Sequence, residues 1–148
     1  MNIQTTRFGE IQVAQEDIIE FPCGILGFPD FRKYVMIPSG EGPLEWMQSV
    51  EVPDLAIVVC NPLVFKPDYT VNITEKELGE VRLKKAEDGV VLVIIVIPEN
   101  PDEMTANLLG PLLLNPAERL GMQLILTHTE YSTKHRIVDA QGKKTGTG

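Results

Sequence analysis

Hydrophobic and polar residues alternate along this chain in short runs that proline and glycine keep interrupting. Eleven prolines are spread from Pro22 to Pro116. Proline lacks the amide donor and clashes with the preceding turn, so long helices cannot fit this spacing. The runs between the prolines are rich in β-branched and aromatic residues and read as strands. They are Asn2–Arg7, Ile11–Val13, Asp17–Phe21, Lys33–Ile37, Leu44–Val50, Leu55–Cys60, Tyr69–Ile73, Glu80–Lys85, Val90–Ile97 and Gln123–Thr127. About ten short strands predict a mainly β domain, a small barrel or sandwich, with one or two short helices. The expected domain covers residues 1–140. Residues 141–148, all Gly, Lys, Thr and Gln, read as a flexible tail.

Three local patterns sharpen this picture. Val81 and Leu83 alternate with Arg82 and Lys84, and Asp88-Gly89 is the dipeptide that a type I′ turn favours. A hairpin over Glu80–Ile97 is therefore expected. Its second arm, Val90–Ile97, is apolar on both faces and should run through the centre of the fold. Thr74 and Glu77 have capping-box spacing for a one-turn helix stopped at Gly79. Asn115, Pro116 and Gly121 mark a second short helix, with cap, first-turn proline and terminator in order.

Charge narrows the function classes. The chain carries 13 Lys and Arg against 21 Asp and Glu, a net charge of −8. Residues 34–65 and 86–118 contain no Lys or Arg at all. A phosphate backbone is held by clustered cations, so direct nucleic-acid binding is not expected. The acidic body favours a basic partner instead. The longest apolar run, Val90 to Ile97, is far below the ~20 residues of a membrane span. No basic-then-apolar signal opens the chain, so a cytoplasmic location is expected.

Candidate chemistry is sparse. Cys23 and Cys60 lack metal-ligand spacing, and the three serines lie outside any nucleophile-elbow motif. His128 and His135 have only Glu130 and Asp139 as nearby carboxylates. No cofactor, metal or catalytic residue is expected. Eight of the nine aromatics fall in the first 69 residues and are expected to fill one end of a barrel core. If Trp46 faces inward, the period of two turns Glu45, Met47 and Glu51 outward. Methionine adapts to irregular partner surfaces, so these three are candidate contacts. Glu99, Asp102 and Glu103 lie in a proline-stiffened acidic loop and form a second candidate patch. Asn107 and Asn115, which flank Pro111, suit either direct contact or turn-capping.

A family resemblance rests on an ordered set of segments. They are Phe21-Pro22-Cys23-Gly24-Ile25-Leu26-Gly27-Phe28, then Tyr34, Leu44-Glu45-Trp46-Met47-Gln48-Ser49 and Pro67-Asp68-Tyr69, then Thr105 through Asn115 and Gln123-Leu124-Ile125-Leu126. Together, over residues 3 to 138, the chain resembles the flagellar assembly factor FliW family. The resemblance implies a small, non-enzymatic cytoplasmic protein. It implies binding to flagellin and, when flagellin has left, to CsrA, a dimeric RNA-binding repressor of flagellin translation. A monomer is expected when no partner is bound. The rival reading is a small-ligand-binding β-barrel without catalysis, which would need a large closed cavity lined by the aromatic cluster.

Overall fold

In the computed structural model, residues 1–40, 42–127 and 129–137 are described. The expected tail at 141–148 lies outside them. The strands are β1 (Asn2–Thr5), β2 (Gly9–Gln12), β3 (Ile18–Glu20), β4 (Lys33–Pro38), β5 (Glu45–Ser49), β6 (Ala56–Cys60), β7 (Val90–Val96), β8 (Thr105–Ala106), β9 (Leu112–Asn115), β10 (Leu120–Gln123) and β11 (His135–Arg136), and helix α1 spans Glu75–Glu80. The chain is mainly β, as its pattern predicts. Strands β3 to β7 pair in antiparallel sequence, and β7 then pairs with β9. β9 pairs with β10, which returns to β3 through one parallel bridge, Leu120 to Glu20. Seven strands thus close a barrel, and β8 and β11 extend it beside the end of β7.

Alternation sorts side chains into layers. Phe21, Tyr34, Met47, Val59, Leu92 and Leu112 are buried in one cluster inside the barrel. Tyr34 meets Phe21 edge-on at 5.7 Å and donates its hydroxyl proton to the Phe31 carbonyl, 3.0 Å away. The β1–β2 hairpin covers the outer face of β4 through Ile3, Val13 and Val35. A further outer layer joins Val81 and Leu83 to Leu113 and Leu124. The barrel interior is therefore filled, and each wall strand also carries an outer apolar layer.

Thr74 accepts the Glu77 N–H and Glu77 reaches back to Thr74, so the expected capping box starts α1. The helix runs through Gly79 to Glu80 rather than stopping at Gly79. The expected Glu80–Ile97 hairpin does not form. Arg82 takes a left-handed φ of 61°, which breaks any strand there, and Asp88 sits in a 3-10 turn. Val81 and Leu83 alternate because they anchor a turn, not because they line a sheet. The expected helix at Asn115–Gly121 is also absent. Asn115 ends β9, Arg119 is left-handed at φ 56°, and β10 begins at Leu120. The Gln123–Thr127 run is strand only at its first residue, because β10 ends at Gln123. The aromatics do not gather at one end of the core. Phe21 and Tyr34 lie inside, Phe65 and Tyr69 in an outer cluster, and Trp46 packs on Phe8 outside the wall.

Candidate functional site

Strand direction divides the loops between two ends of the barrel. β4 starts, and β3, β5, β7 and β10 finish, at the same end. That end therefore carries the 21–32 loop, the 50–55 loop, the 97–104 loop and the chain beyond Gln123. Leu26 confirms the placement, since its N–H donates to Gln123 Oε1 at 2.9 Å.

This end combines two properties. Leu26 is 68% exposed, Val96 57% and Ile125 55%, with Phe28 and Ile97 also open. Among them stand Asp30, Glu51, Asp54, Glu99, Asp102 and Glu103, all exposed, against the cations Arg32, Lys33 and Arg136. The Leu26 loop is held firmly. Ile25 is buried and bridges to Phe28, and Gly27 takes the turn position that needs positive φ, at 92°. Gln123 uses its amide to tie this loop to Gly110, donating to that carbonyl at 2.8 Å. The neighbouring Asn107 accepts N–H bonds from Leu109 and Gly110. A fixed loop thus displays a leucine to solvent. Sequence reasoning passed over Leu26 and Ile125. The available signal was an apolar residue between turn glycines, at Gly24-Ile25-Leu26-Gly27.

The predicted contact residues separate into distinct groups. Glu99, Asp102 and Glu103 are exposed at this end, as the acidic loop suggested. Asn100 accepts the Asp102 N–H at 3.0 Å, and the Arg136 guanidinium donates to the Asp102 carbonyl at 3.2 Å. None of the three carboxylates forms an ion pair among the described residues. Glu51 is at the same end, and its carboxylate accepts the N–H groups of Arg32 and Lys33 at 2.8 and 3.3 Å. Glu45 is half-buried at the opposite end of β5, so Glu45 and Glu51 form no common patch. Met47 is fully buried inside the barrel and is not a surface contact. The inward face of β5 is the Met47 face. Trp46 lies outside, against Phe8 and under the Arg7 guanidinium, 4.3 Å from its ring centre.

Both asparagines cap turns. Asn115 is buried, donates to the carbonyls of Val81 and Arg82 at 2.7 and 3.1 Å, and accepts from Ala117 and Glu118. Asn107, half-buried, builds the turn described above. Neither side chain is presented as a docking group.

The Glu45 end holds a different feature. An open groove of about 560 Å³ runs between Pro62, Leu63, Tyr69, Val71 and Val90, with Glu87 at its margin. It lies outside the barrel and takes only Tyr69 from the aromatics, so it is not the closed aromatic-lined cavity that a small-ligand barrel requires. Among the described residues no group of three His, Cys, Asp or Glu could hold a metal ion. No described helix is long and apolar enough to cross a membrane.

Three buried groups, Tyr34, Cys60 and Tyr69, set an alkaline limit. Burial, with Glu51 adding, pushes the Tyr34 phenol up to about 12; burial, with Glu45 adding, pushes the Cys60 thiol up to about 11. The folded chain therefore keeps protons that the unfolded chain releases from about pH 9 upward. Their stabilising contribution is intact below that and lost as pH rises toward 12. Burial raises the Tyr69 phenol in the same direction and so extends the loss to higher pH. Thermal melts between pH 8 and 11 should fall steeply, and Cys60→Ala should remove the earlier part of the fall.

Comparison with known proteins settles the lineage. The family model described as FliW protein matches residues 2–137. The chain belongs to the FliW family. The Alkaliphilus metalliredigens flagellar assembly factor FliW is 44% identical over 141 residues, 94% of this chain and 87% of that protein. Its counterpart from Natranaerobius thermophilus is 38% identical over 146 residues, covering 97% of each. A crystal structure of the flagellar assembly factor FliW superposes with a TM-score of 0.87 at 34% identity, over 93% of this chain and 96% of that one. The FliW-like segments Phe21–Phe28 and Thr105–Asn115 are the two that Gln123 ties together.

Proposed function

We propose that this chain acts in the cytoplasm as a non-enzymatic flagellar assembly factor that alternates between two protein partners. It binds flagellin, and when flagellin has been exported it binds CsrA and relieves repression of flagellin translation. Membership of the FliW family, whose relatives bear the flagellar assembly name, supports the reading. The observation that carries the surface assignment is the barrel end where exposed Leu26, Val96 and Ile125 stand among exposed carboxylates. An acidic, partly apolar surface suits a basic protein and opposes phosphate approach. A CsrA dimer must show positive charge to RNA, so an acidic partner docked beside that charge would repel the messenger without covering it.

Mixing the purified chain with flagellin and with CsrA, separately, on a sizing column tests the proposal. Co-elution with each supports it, and co-elution with neither overturns it. The double reversal Asp102→Lys with Glu103→Lys should weaken CsrA binding by about tenfold, since charge pairs across an interface are worth on the order of 1–2 kcal/mol. Glu45→Lys, at the far end, should leave that affinity unchanged. Titration calorimetry reads both, and equal affinities in all three proteins would remove the acidic end from the interface.

A further inference from the structure

The barrel wall has an open backbone edge at the same end. Leu124 and Leu126 donate their N–H groups to the carbonyls of Pro111 and Leu109. In an antiparallel ladder successive residues point their backbone groups to opposite sides. The N–H and C=O of Ile125 therefore face away from that neighbour, toward the seam with β3. There β3 offers no partner, because its single bridge to β10 is at Glu20, after which the chain turns away at Phe21. The Leu26 loop fills the seam only as far as Gln123, where a side-chain oxygen takes the Leu26 N–H. Among the described residues, nothing bonds the backbone N–H or C=O of Ile125.

We infer that this edge accepts an extended segment of a partner protein as an added strand, with apolar side chains toward Leu26 and Ile125 and basic side chains toward the acidic loops. The inference rests on the partner-binding role proposed above and specifies how one partner is held. Three features support it. An unpaired strand edge is a template for another strand, and backbone bonds then supply affinity while alternate side chains supply selectivity. Leu26 and Ile125, both mostly exposed, provide apolar contacts beside that edge. Among the described residues, exposed carboxylates outnumber cations at this end, which selects for a basic segment rather than an acidic one.

The test uses the full chain and a capped peptide of about six residues alternating valine and lysine, with a glutamate-for-lysine twin as control. Titration gives affinity, and amide hydrogen exchange reads Ile125. The basic peptide should bind, the acidic twin should bind about tenfold more weakly or not at all, and exchange at Ile125 should slow by about tenfold or more. Ile125→Pro removes an N–H that the fold does not use and should weaken binding about tenfold, whereas Ile125→Ala keeps the N–H and should lose less. Exchange on the unaltered chain reports independently of whether the proline variant folds. Unchanged exchange at Ile125 with peptide bound, or equal binding of the twin, overturns the inference. So does slowing at Ile125 in a concentration-dependent dimer without peptide, which would assign the edge to a second copy. Running flagellin and CsrA in parallel separates the two readings. If both co-elute but Ile125 exchange is unchanged, strand addition fails and the partner role stands. If neither co-elutes but the basic peptide protects Ile125, the edge is a strand acceptor and the flagellar assignment fails.

Discussion

Gly24→Ala should destabilise the chain by about 3 kcal/mol and lower its melting temperature by roughly 10 °C. Gly24 sits at a φ of +73°, a region that favours glycine. A Cβ built there would lie 2.4 Å from the Pro29 carbonyl oxygen and 2.6 Å from the Pro29 Cα. Those neighbours are backbone atoms and cannot swing aside as a side chain would. The Phe21–Phe31 loop must shift, and the contacts of buried Ile25 and the Leu26 bond to Gln123 shift with it. Gly27→Ala is the matched control. Its φ of +92° also disfavours a side chain, but nothing lies within 4 Å of the added carbon. That variant should lose only about 1 kcal/mol. Comparing the two melts separates steric exclusion from backbone conformation; equal losses would show that the Pro29 contact contributes nothing.

Asn115→Ala should cost about 3 kcal/mol for a different reason. The side chain hydrogen-bonds two turns that are also spanned by the exposed Arg82–Glu118 ion pair at 3.6 Å. Its amide donates to Val81 and Arg82, and its oxygen accepts from Ala117 and Glu118. Arg82 and Arg119, the two left-handed non-glycine residues among those described, lie in those two turns. Removing the amide strands buried carbonyls, at roughly 1–3 kcal/mol for a group left unsatisfied. Asn115→Asp sharpens the test. The carboxylate keeps the acceptor but turns an oxygen toward two carbonyls, so its pKa should rise. The variant should be least stable at neutral pH and recover as pH falls and the carboxyl becomes a donor. A flat profile would mean that the donor side of Asn115 is unimportant.

These two residues also show where sequence pattern stops being informative. The middle of β7, Val91–Ile95, is legible because a strand covered on both faces must be apolar at every position, although Val90 and Val96 at its ends are exposed. The Thr74–Glu77 box is legible because capping is local. The alternation of Val81 and Leu83 resembles an edge strand, yet it is produced by a turn whose hydrogen bonds come from Asn115, more than thirty residues away. The sequence pattern does not predict β9, since Leu112-Leu113-Leu114 is too short to show a period. Pairing with β7 and β10 sends Leu112 and Leu114 inward and Leu113 outward. The period of two does not say which face of β5 points inward, and putting Trp46 there turns Met47 outward. In this closed barrel Met47 fills the interior, and Trp46 on the other face is covered by Phe8 and Arg7. The acidic loop at Glu99–Glu103 was legible because proline and carboxylates mark exposed turns whatever the tertiary context. Its companions Leu26 and Ile125 were not, because exposure of an apolar residue depends on which loops surround it.

Under the proposed function, one protein partner excludes the other. The most direct measurement titrates CsrA into this chain already saturated with flagellin, and into the free chain, by calorimetry. The predicted result is heat of binding for the free chain and none, or an affinity reduced about a hundredfold, for the flagellin-loaded chain. Equal affinity in both, with all three proteins migrating together, would contradict a switch between partners.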